Sequence, residues 1–410
     1  MRARIRRLTR SRHMAGHAKT PLSESTILLC NATRAVFFLV GFGLAVWAPL
    51  VPYAKVGLEL SEGVLGLIML CLGTGSILTM PITGLLVSRF SCHHVIVVAT
   101  MALCISIPFL ALAPSVGTLS ATLLVFGGAV GAIDVAGNIQ AVIAQRESNR
   151  FMMSGFHAFY SIGGLCGAAG MSLMLLGGLN TVESTLICSA ILLLILLKYR
   201  KSLLGHTDKI AGGMKFAFPK GLVVVIGFLC FITFLSEGII FDWGSLFLVE
   251  YKAFDATYAG LGMAVFSLML AVGRLWGGHI IQAMGNGANV VLWGGIGSAI
   301  GLLLAFFVLD GMWALLGYAL LGFSVSNIVP IIFSAAGQQT IMPVNEAIAI
   351  VSTLGYAGTL LGPALIGFAA ELTSLAATFV MVSGFMLFLG VAGWRVFGGT
   401  DTTASAAPDE

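Results

Sequence analysis

Glu237, with Ser236 beside it, interrupts a long apolar run that begins at Gly221. A carboxyl in such a place either binds a proton or a cationic group of a solute, or ties its segment to a neighbour. Asp134 and Asn138 lie four residues apart in a second apolar run. That spacing puts both on one helix face, where they can hydrogen-bond a polar solute or link a carboxyl to a neighbouring helix. His157, Tyr160 and Ser161 stand at i, i+3 and i+4 in a third run, again on one face, where a histidine can relay protons near neutral pH or sit in a helix contact satisfied by a backbone carbonyl. Asp242-Trp243 and Trp47 sit near the ends of their runs. An indole there anchors at a membrane interface, or it frames the mouth of a cavity and stacks on a sugar or aromatic solute. Arg34 and Arg274 lie toward one end of their runs, where snorkelling accounts for them and closure of a gate is the functional alternative.

Other chemistries have no basis in the sequence. Gly127-x-x-x-Gly131, Gly163-x-x-x-Gly167, Gly273-x-x-x-Gly277 and Gly358-x-x-x-Gly362 are helix-packing patterns. None is followed by the Gly-Lys-Ser/Thr of a phosphate loop. The seven cysteines show neither metal spacing nor a disulfide framework, and six of them fall in or beside apolar runs. No nucleophile has a convincing base, so no enzyme activity, cofactor or metal is expected. A net charge of +4 in short basic clusters is no nucleic-acid signature. Met1 to Thr20 is basic without an apolar core, so no cleavable signal is expected there, and Met14 offers an alternative start.

The elements that must hold these residues follow from composition. Hydrophobic residues make up 58% of the chain and charged residues 9%, against about 25% charged in an ordinary soluble domain. Twelve apolar stretches are expected to span a bilayer, near 27–52, 62–88, 94–113, 117–144, 152–178, 181–197, 221–248, 256–283, 288–309, 312–335, 346–370 and 374–397. Each must be helical, because only a helix satisfies its own backbone in lipid. Of the 21 Lys and Arg, seventeen fall on the side of the N-terminus, two (Lys55 and Lys252) on the other, and Arg34 and Arg274 inside spans. This bias predicts that both termini are cytoplasmic.

The organisation expected is a tail at 1–26, a six-helix bundle at 27–197, a linker at 198–220, a second bundle at 221–397 and a tail at 398–410. The halves echo one another. Gly66, Leu67, Met69 and Gly84 recur 194 positions later as Gly260, Leu261, Met263 and Gly278, and Gly163 and Gly167 recur 195 later as Gly358 and Gly362. Such repeats mark secondary transporters. Asn327 falls one position from the image of Asp134 in this repeat and joins the candidate substrate ligands.

The chain resembles the major facilitator superfamily over all twelve spans. That family's Gly-x-Leu-x-Asp-Arg-x-Gly loop is matched after the second span by Gly84, Leu86 and Arg89, with Ser88 in place of the Asp and Ser91 in place of the second Gly. The second-half copy, Gly278 to Gly285, keeps the glycines and has Gln282 for the Asp. The resemblance implies a gate role for Arg89 and puts the Asp-based lock in doubt. A closer likeness, to the bacterial YbjJ-like permeases, rests on several short motifs. They are Arg34, Trp47-Ala-Pro, Leu60-Ser-Glu-x-x-Leu-Gly66, His157-Ala-Phe-Tyr-Ser-Ile-Gly163, Glu237-Gly, Asp242-Trp243, Gly355-Tyr-x-Gly and Gly362-Pro363. In that subgroup the motif after Trp47 often continues Arg-x-Pro, where this chain has Leu50.

The expected fold is thus all-α, with twelve transmembrane helices in two six-helix bundles. The expected function is secondary active transport of a small solute by alternating access, coupled to protons through Glu237 and Asp134. Asn138, His157, Tyr160, Ser161, Asp242, Trp243, Trp47 and Asn327 are the expected substrate ligands, with Arg89, Arg274 and Arg34 at the gate. A uniporter with structural acids is the alternative, and a non-transporting sensor a more distant one. The expected setting is a monomer in a bacterial inner membrane, with a small-molecule substrate and the bilayer as partners and no nucleic acid. Few fixed charges within the spans point to a neutral, cationic or aromatic solute.

Overall fold

The computed structural model describes residues 22–60, 62–205, 220–254 and 261–398. Ten helices are long and apolar enough to cross a membrane, and a bent pair, Leu261–Leu275 with Gly277–Met284, makes one more span with a 65° bend. One of the ten lies in the 51-residue helix Glu62–Leu112, which is broken by the non-helical Ser91. It crosses twice, so the chain makes twelve crossings. Both ends therefore leave on one face, called here the terminal face.

Span 1 is Glu24–Val46. Spans 2 and 3 precede and follow Ser91. Span 4 is Val116–Ser148, span 5 Met153–Leu176 and span 6 Thr181–Tyr199. Span 7 is Leu222–Gly238, continued by a π-helical turn, Ile239–Trp243, and by Gly244–Lys252. Span 8 is the bent pair, and span 9 is Gly287–Phe307. Span 10 is Gly311–Val325 followed by Ile328–Gln338, span 11 Val344–Leu372 and span 12 Leu375–Phe397. Side-chain caps set many of the starts. Ser115, Asn180, Asn286, Asp310 and Ser374 each accept a backbone N–H from the first turn, which satisfies donors that a helix leaves open.

Small residues bring the helices together in the same way in both halves. A Cβ on Gly163 or Gly167 of span 5 would collide with the backbone carbonyls of Phe38 and Phe42 in span 1. A Cβ on Gly358 of span 11 would collide with the Phe231 carbonyl of span 7, and Gly362 faces Leu235 there. The repeat seen in the sequence is thus a repeat of packing: span 5 lies on span 1 as span 11 lies on span 7. Large apolar side chains such as Val98, Leu194 and Phe307 are two-thirds exposed or nearly so, as a lipid-facing surface requires.

Most of the linker expected at 198–220 falls outside the described residues, as do the tail at 1–21 and residues 399–410. The start of the linker folds back on the first half. Leu204 donates its N–H to Gln140 Oε1 at 3.0 Å and accepts one from His93 at 3.0 Å, and Gln140 in turn donates to Thr33 Oγ1 at 3.1 Å.

Candidate functional site

Four spans bring the charged centre together. Glu237 lies at the midpoint of the helical stretch from Leu222 to Lys252. One turn on, the helix opens into the π turn that carries Asp242 and Trp243, a distortion common at functional sites. Arg274 of span 8 lies just before the bend, and its Nη2 stands 3.7 Å from Glu237 Oε1. Both residues are more than nine-tenths buried, with 5% and 7% exposure. Arg274 also reaches the other bundle, donating from Nη1 to Ser161 Oγ of span 5 at 2.9 Å. Its Nε points at the Ser326 carbonyl at 3.4 Å, a group left free where span 10 breaks.

Arg274 is therefore misplaced by the sequence reading. It does not snorkel, and it lies inside the charged centre, because the bend at Trp276 turns the rest of span 8 away and leaves the guanidinium aimed inward. Asn327, expected to bind solute, is also committed elsewhere. Its Nδ2 donates to the Gly273 carbonyl at 2.8 Å and to Ser326 Oγ at 2.9 Å, and its Oδ1 accepts from Ser154 Oγ at 2.6 Å. It ties the broken segments of spans 8 and 10 to span 5.

The first half supplies a second acid. Asp134 and Asn138 share a face of span 4, and Asn138 Nδ2 donates to the Asp134 carbonyl at 2.9 Å while Asn138 Oδ1 is buried without a partner. Among the described residues no cation pairs with Asp134, in contrast to Glu237. Tyr160 is within electrostatic reach of Asp134, Glu237 and Arg274, and its phenol hydrogen-bonds with that of Tyr356 on span 11. His157 is sandwiched at the seam of the two halves. Its ring lies edge-on to Phe37 of span 1 at 4.9 Å and stacks on Phe333 of span 10 at 5.8 Å, and its Nε2 has no partner. Ser161 donates weakly to the His157 carbonyl at 3.4 Å.

The remaining candidates lie apart from this centre. Trp47 is 4% exposed and Trp243 partly buried against Gly367, and neither indole N–H has a partner. Asp242 is exposed. Arg34 donates to Asn31 Oδ1, one turn back on the same helix, at 2.6 Å. Arg89 is exposed over the Phe90 ring. Neither of these two arginines joins the two halves in the structure, whereas Arg274, the third residue expected at the gate, does so through Ser161.

The halves also meet through residues the sequence reading passed over. Asn345 Nδ2 of span 11 donates to Ser88 Oγ of span 2 at 3.1 Å. Gln145 Nε2 of span 4 donates to Ser334 Oγ of span 10 at 3.0 Å, while its Oε1 accepts the N–H groups of Met152 and Met153. Arg146 donates to the Gly337 carbonyl. These ties lie between the centre and the terminal face. Ser88 stands where the family loop carries its Asp, and that was the one sequence signal for them.

Comparison with known proteins agrees with this architecture. A profile described as Major Facilitator Superfamily matches residues 35–341. An MFS-type transporter of Yersinia pestis is 46% identical over 361 residues, covering 88% of this chain and 93% of that one. The chain belongs to the major facilitator superfamily and is a multi-pass membrane transporter. Two solved structures share the fold. The fucose:proton symporter FucP in its outward conformation has a TM-score of 0.74 at 15% identity, covering 91% of this chain and 99% of that one. The proton:xylose symporter XylE has a TM-score of 0.70 at 14% identity, covering 94% and 99%.

Proposed function

We propose that the chain is a secondary active transporter that moves a small solute by alternating access, coupled to a proton carried by Asp134. The observation that carries this reading is the asymmetry of the two acids, Glu237 buried and Asp134 half-buried. Glu237 has Arg274 as its counter-ion, whereas Asp134, at the middle of span 4, has none among the described residues. An uncompensated carboxylate in the middle of a membrane protein is costly, so this group is the one that gains by taking up a proton and releasing it when its surroundings change. Tyr160, in reach of both acids, conveys the change in charge to the Glu237–Arg274 pair.

The terminal face is read as cytoplasmic from the distribution of Lys and Arg, in a bacterial inner membrane, with the protein acting as a monomer. The ties at Ser88, Gln145 and Arg146 hold the halves together near that face, and in this reading they belong to a state closed toward the cytoplasm. Rocking of one bundle on the other would break these ties and expose the centre to the cytoplasm.

The test is Asp134→Asn in proteoliposomes. It should abolish accumulation of solute driven by a proton gradient and leave counterflow exchange, which moves no net proton. Accumulation that survives the substitution would remove Asp134 from coupling. The Glu237–Arg274 pair would then favour the uniporter reading, in which Glu237 is structural.

A further inference from the structure

The Glu237–Arg274 pair is held open. Glu237 Oε1 is buried and has no hydrogen-bond partner. The nearest cationic nitrogen, Arg274 Nη2, is 3.7 Å away, beyond the reach of an N–H···O bond, which ends near about 3.2 Å. Arg274 cannot simply swing closer, because Nη1 is engaged by Ser161 across the seam and Nε is aimed at the Ser326 carbonyl. A charged acceptor and a charged donor thus face each other slightly too far apart to bond, at the centre of the molecule.

We propose that the solute is an uncharged, hydroxyl-rich molecule, one hydroxyl of which bridges Glu237 and Arg274. This rests on the transporter reading above and narrows it to a substrate class. A hydroxyl both donates and accepts, so it can donate to Glu237 Oε1 and accept from Arg274 Nη2. A carboxylate placed there would meet Glu237, and an ammonium would meet Arg274; each is opposed by one member of the pair. Further polar atoms at the centre are also buried without partners: Asn138 Oδ1 and His157 Nε2. Each such atom carries a desolvation penalty until it is bonded, and each is served by a hydroxyl, which can donate or accept. Phe37 and Phe333 beside His157, and Phe234 6.0 Å from Tyr356, supply apolar faces for the C–H surfaces of a ring or chain. A purely aromatic or aliphatic solute would leave the polar atoms unpaired. With a proton on Asp134 the loaded site carries no net charge, which matches a neutral cargo.

The experiment is thermal unfolding of the purified full-length chain with millimolar probes of four kinds. These are neutral polyols (D-xylose, L-fucose, D-glucose), an anionic one (D-gluconate), a cationic one (D-glucosamine) and an apolar aromatic (indole). At least one neutral polyol should raise the unfolding temperature while the other three kinds do not. Glu237→Gln, which keeps the size of the side chain, should weaken that polyol about tenfold, as expected for one hydrogen bond to a charged group. It should also let D-gluconate bind, since Arg274 then lacks its counter-ion. Stabilisation by D-gluconate, D-glucosamine or indole in place of the polyols, no response to any probe, or a polyol response indifferent to Glu237→Gln would each overturn the proposal. Counterflow of a charged or aromatic compound that did bind would show that the transporter reading survives while the substrate class fails.

Discussion

The two halves share a packing plan and differ in how their helices cross the membrane. In the first half, span 4 runs for 33 residues and span 5 for 24 without interruption. In the second half, span 7 opens into a π turn, span 8 bends by 65° and span 10 is divided at Ser326 and Asn327. Each break frees backbone carbonyls that lipid cannot satisfy, and each finds a side chain. Tyr318 donates its hydroxyl to the Gly244 carbonyl at 2.8 Å, Asn327 donates to Gly273, and Arg274 reaches toward Ser326. The acid of the broken half is the one with a counter-ion, and the acid of the unbroken half is the one without. A cation was placed where distorted helices already needed donors, and the proton-binding reading falls on the half whose spans 4 and 5 are unbroken.

Removing Arg274 should break this contrast most severely. Arg274→Met leaves Glu237 as a buried charge without a partner and strips the donor from the Ser326 carbonyl. Loss of one member of a buried pair costs about 3–5 kcal/mol. The unfolding temperature in detergent should fall well below that of the parent and recover in part when Glu237→Gln is added. Asp134→Asn strands no charge and should unfold close to the parent. Equal destabilisation by Arg274→Met and Asp134→Asn would mean that the acids are not distinguished in the way the geometry shows.

What could be read in advance follows the physics of each feature. The twelve spans and their repeat were legible because hydropathy and small-residue spacing act locally. The acids at 134 and 237 were legible because a charge in an apolar run is conspicuous on its own. Arg274 was misjudged because its partner depends on a bend at Trp276, and nothing in the run from Leu261 to Met284 announces a 65° change of direction. Asn327 looked free because the carbonyl it satisfies, Gly273, becomes available only after span 8 takes up its place. The ties at the terminal face were invisible for a different reason. Ser88 and Asn345 are neutral, common residues 257 positions apart, and only the substitution of Ser88 for the family's Asp hinted that the position mattered.

Those neutral ties offer a gentler test of how the halves are held. Asn345→Ala removes one hydrogen bond between neutral groups, worth about 1 kcal/mol. That is enough to shift a balance between open and closed terminal faces by about fivefold. A reporter cysteine placed at Ala349, which packs against Gly84, should become more reactive toward a thiol reagent, with little change in unfolding temperature. Because both partners are uncharged, the gain should be the same at low and high salt. A strong salt dependence would mean that charged residues, not this pair, hold the face shut.

The smallest expected effect compares the two halves at a single backbone position. Ser91 breaks the helix between spans 2 and 3 with φ 78° and ψ 160°, a region that side chains other than glycine occupy at a cost of about 1–3 kcal/mol. Its counterpart 194 residues on is Gly285, which has φ 84° after span 8. Both halves therefore need a left-handed residue to leave the terminal face, and only the second half uses the residue suited to it. Ser91 recovers part of the cost through a 3.1 Å hydrogen bond to His94 Nδ1. Ser91→Gly forfeits that bond, worth about 1 kcal/mol, and it also gives up unfolded-state restriction that favours serine. With about 2 kcal/mol of strain relieved, about 1 lost with the bond and about 0.5 lost through the unfolded state, the net gain should be about 0.5 kcal/mol, seen as a small rise in unfolding temperature with transport unchanged. Gly285→Ser should lower the unfolding temperature, since it puts a side chain at φ 84° where no histidine stands three residues on to offset the strain. A fall in stability for Ser91→Gly would show that the hydrogen bond to His94 outweighs the strain, and that the first half is adapted to its serine.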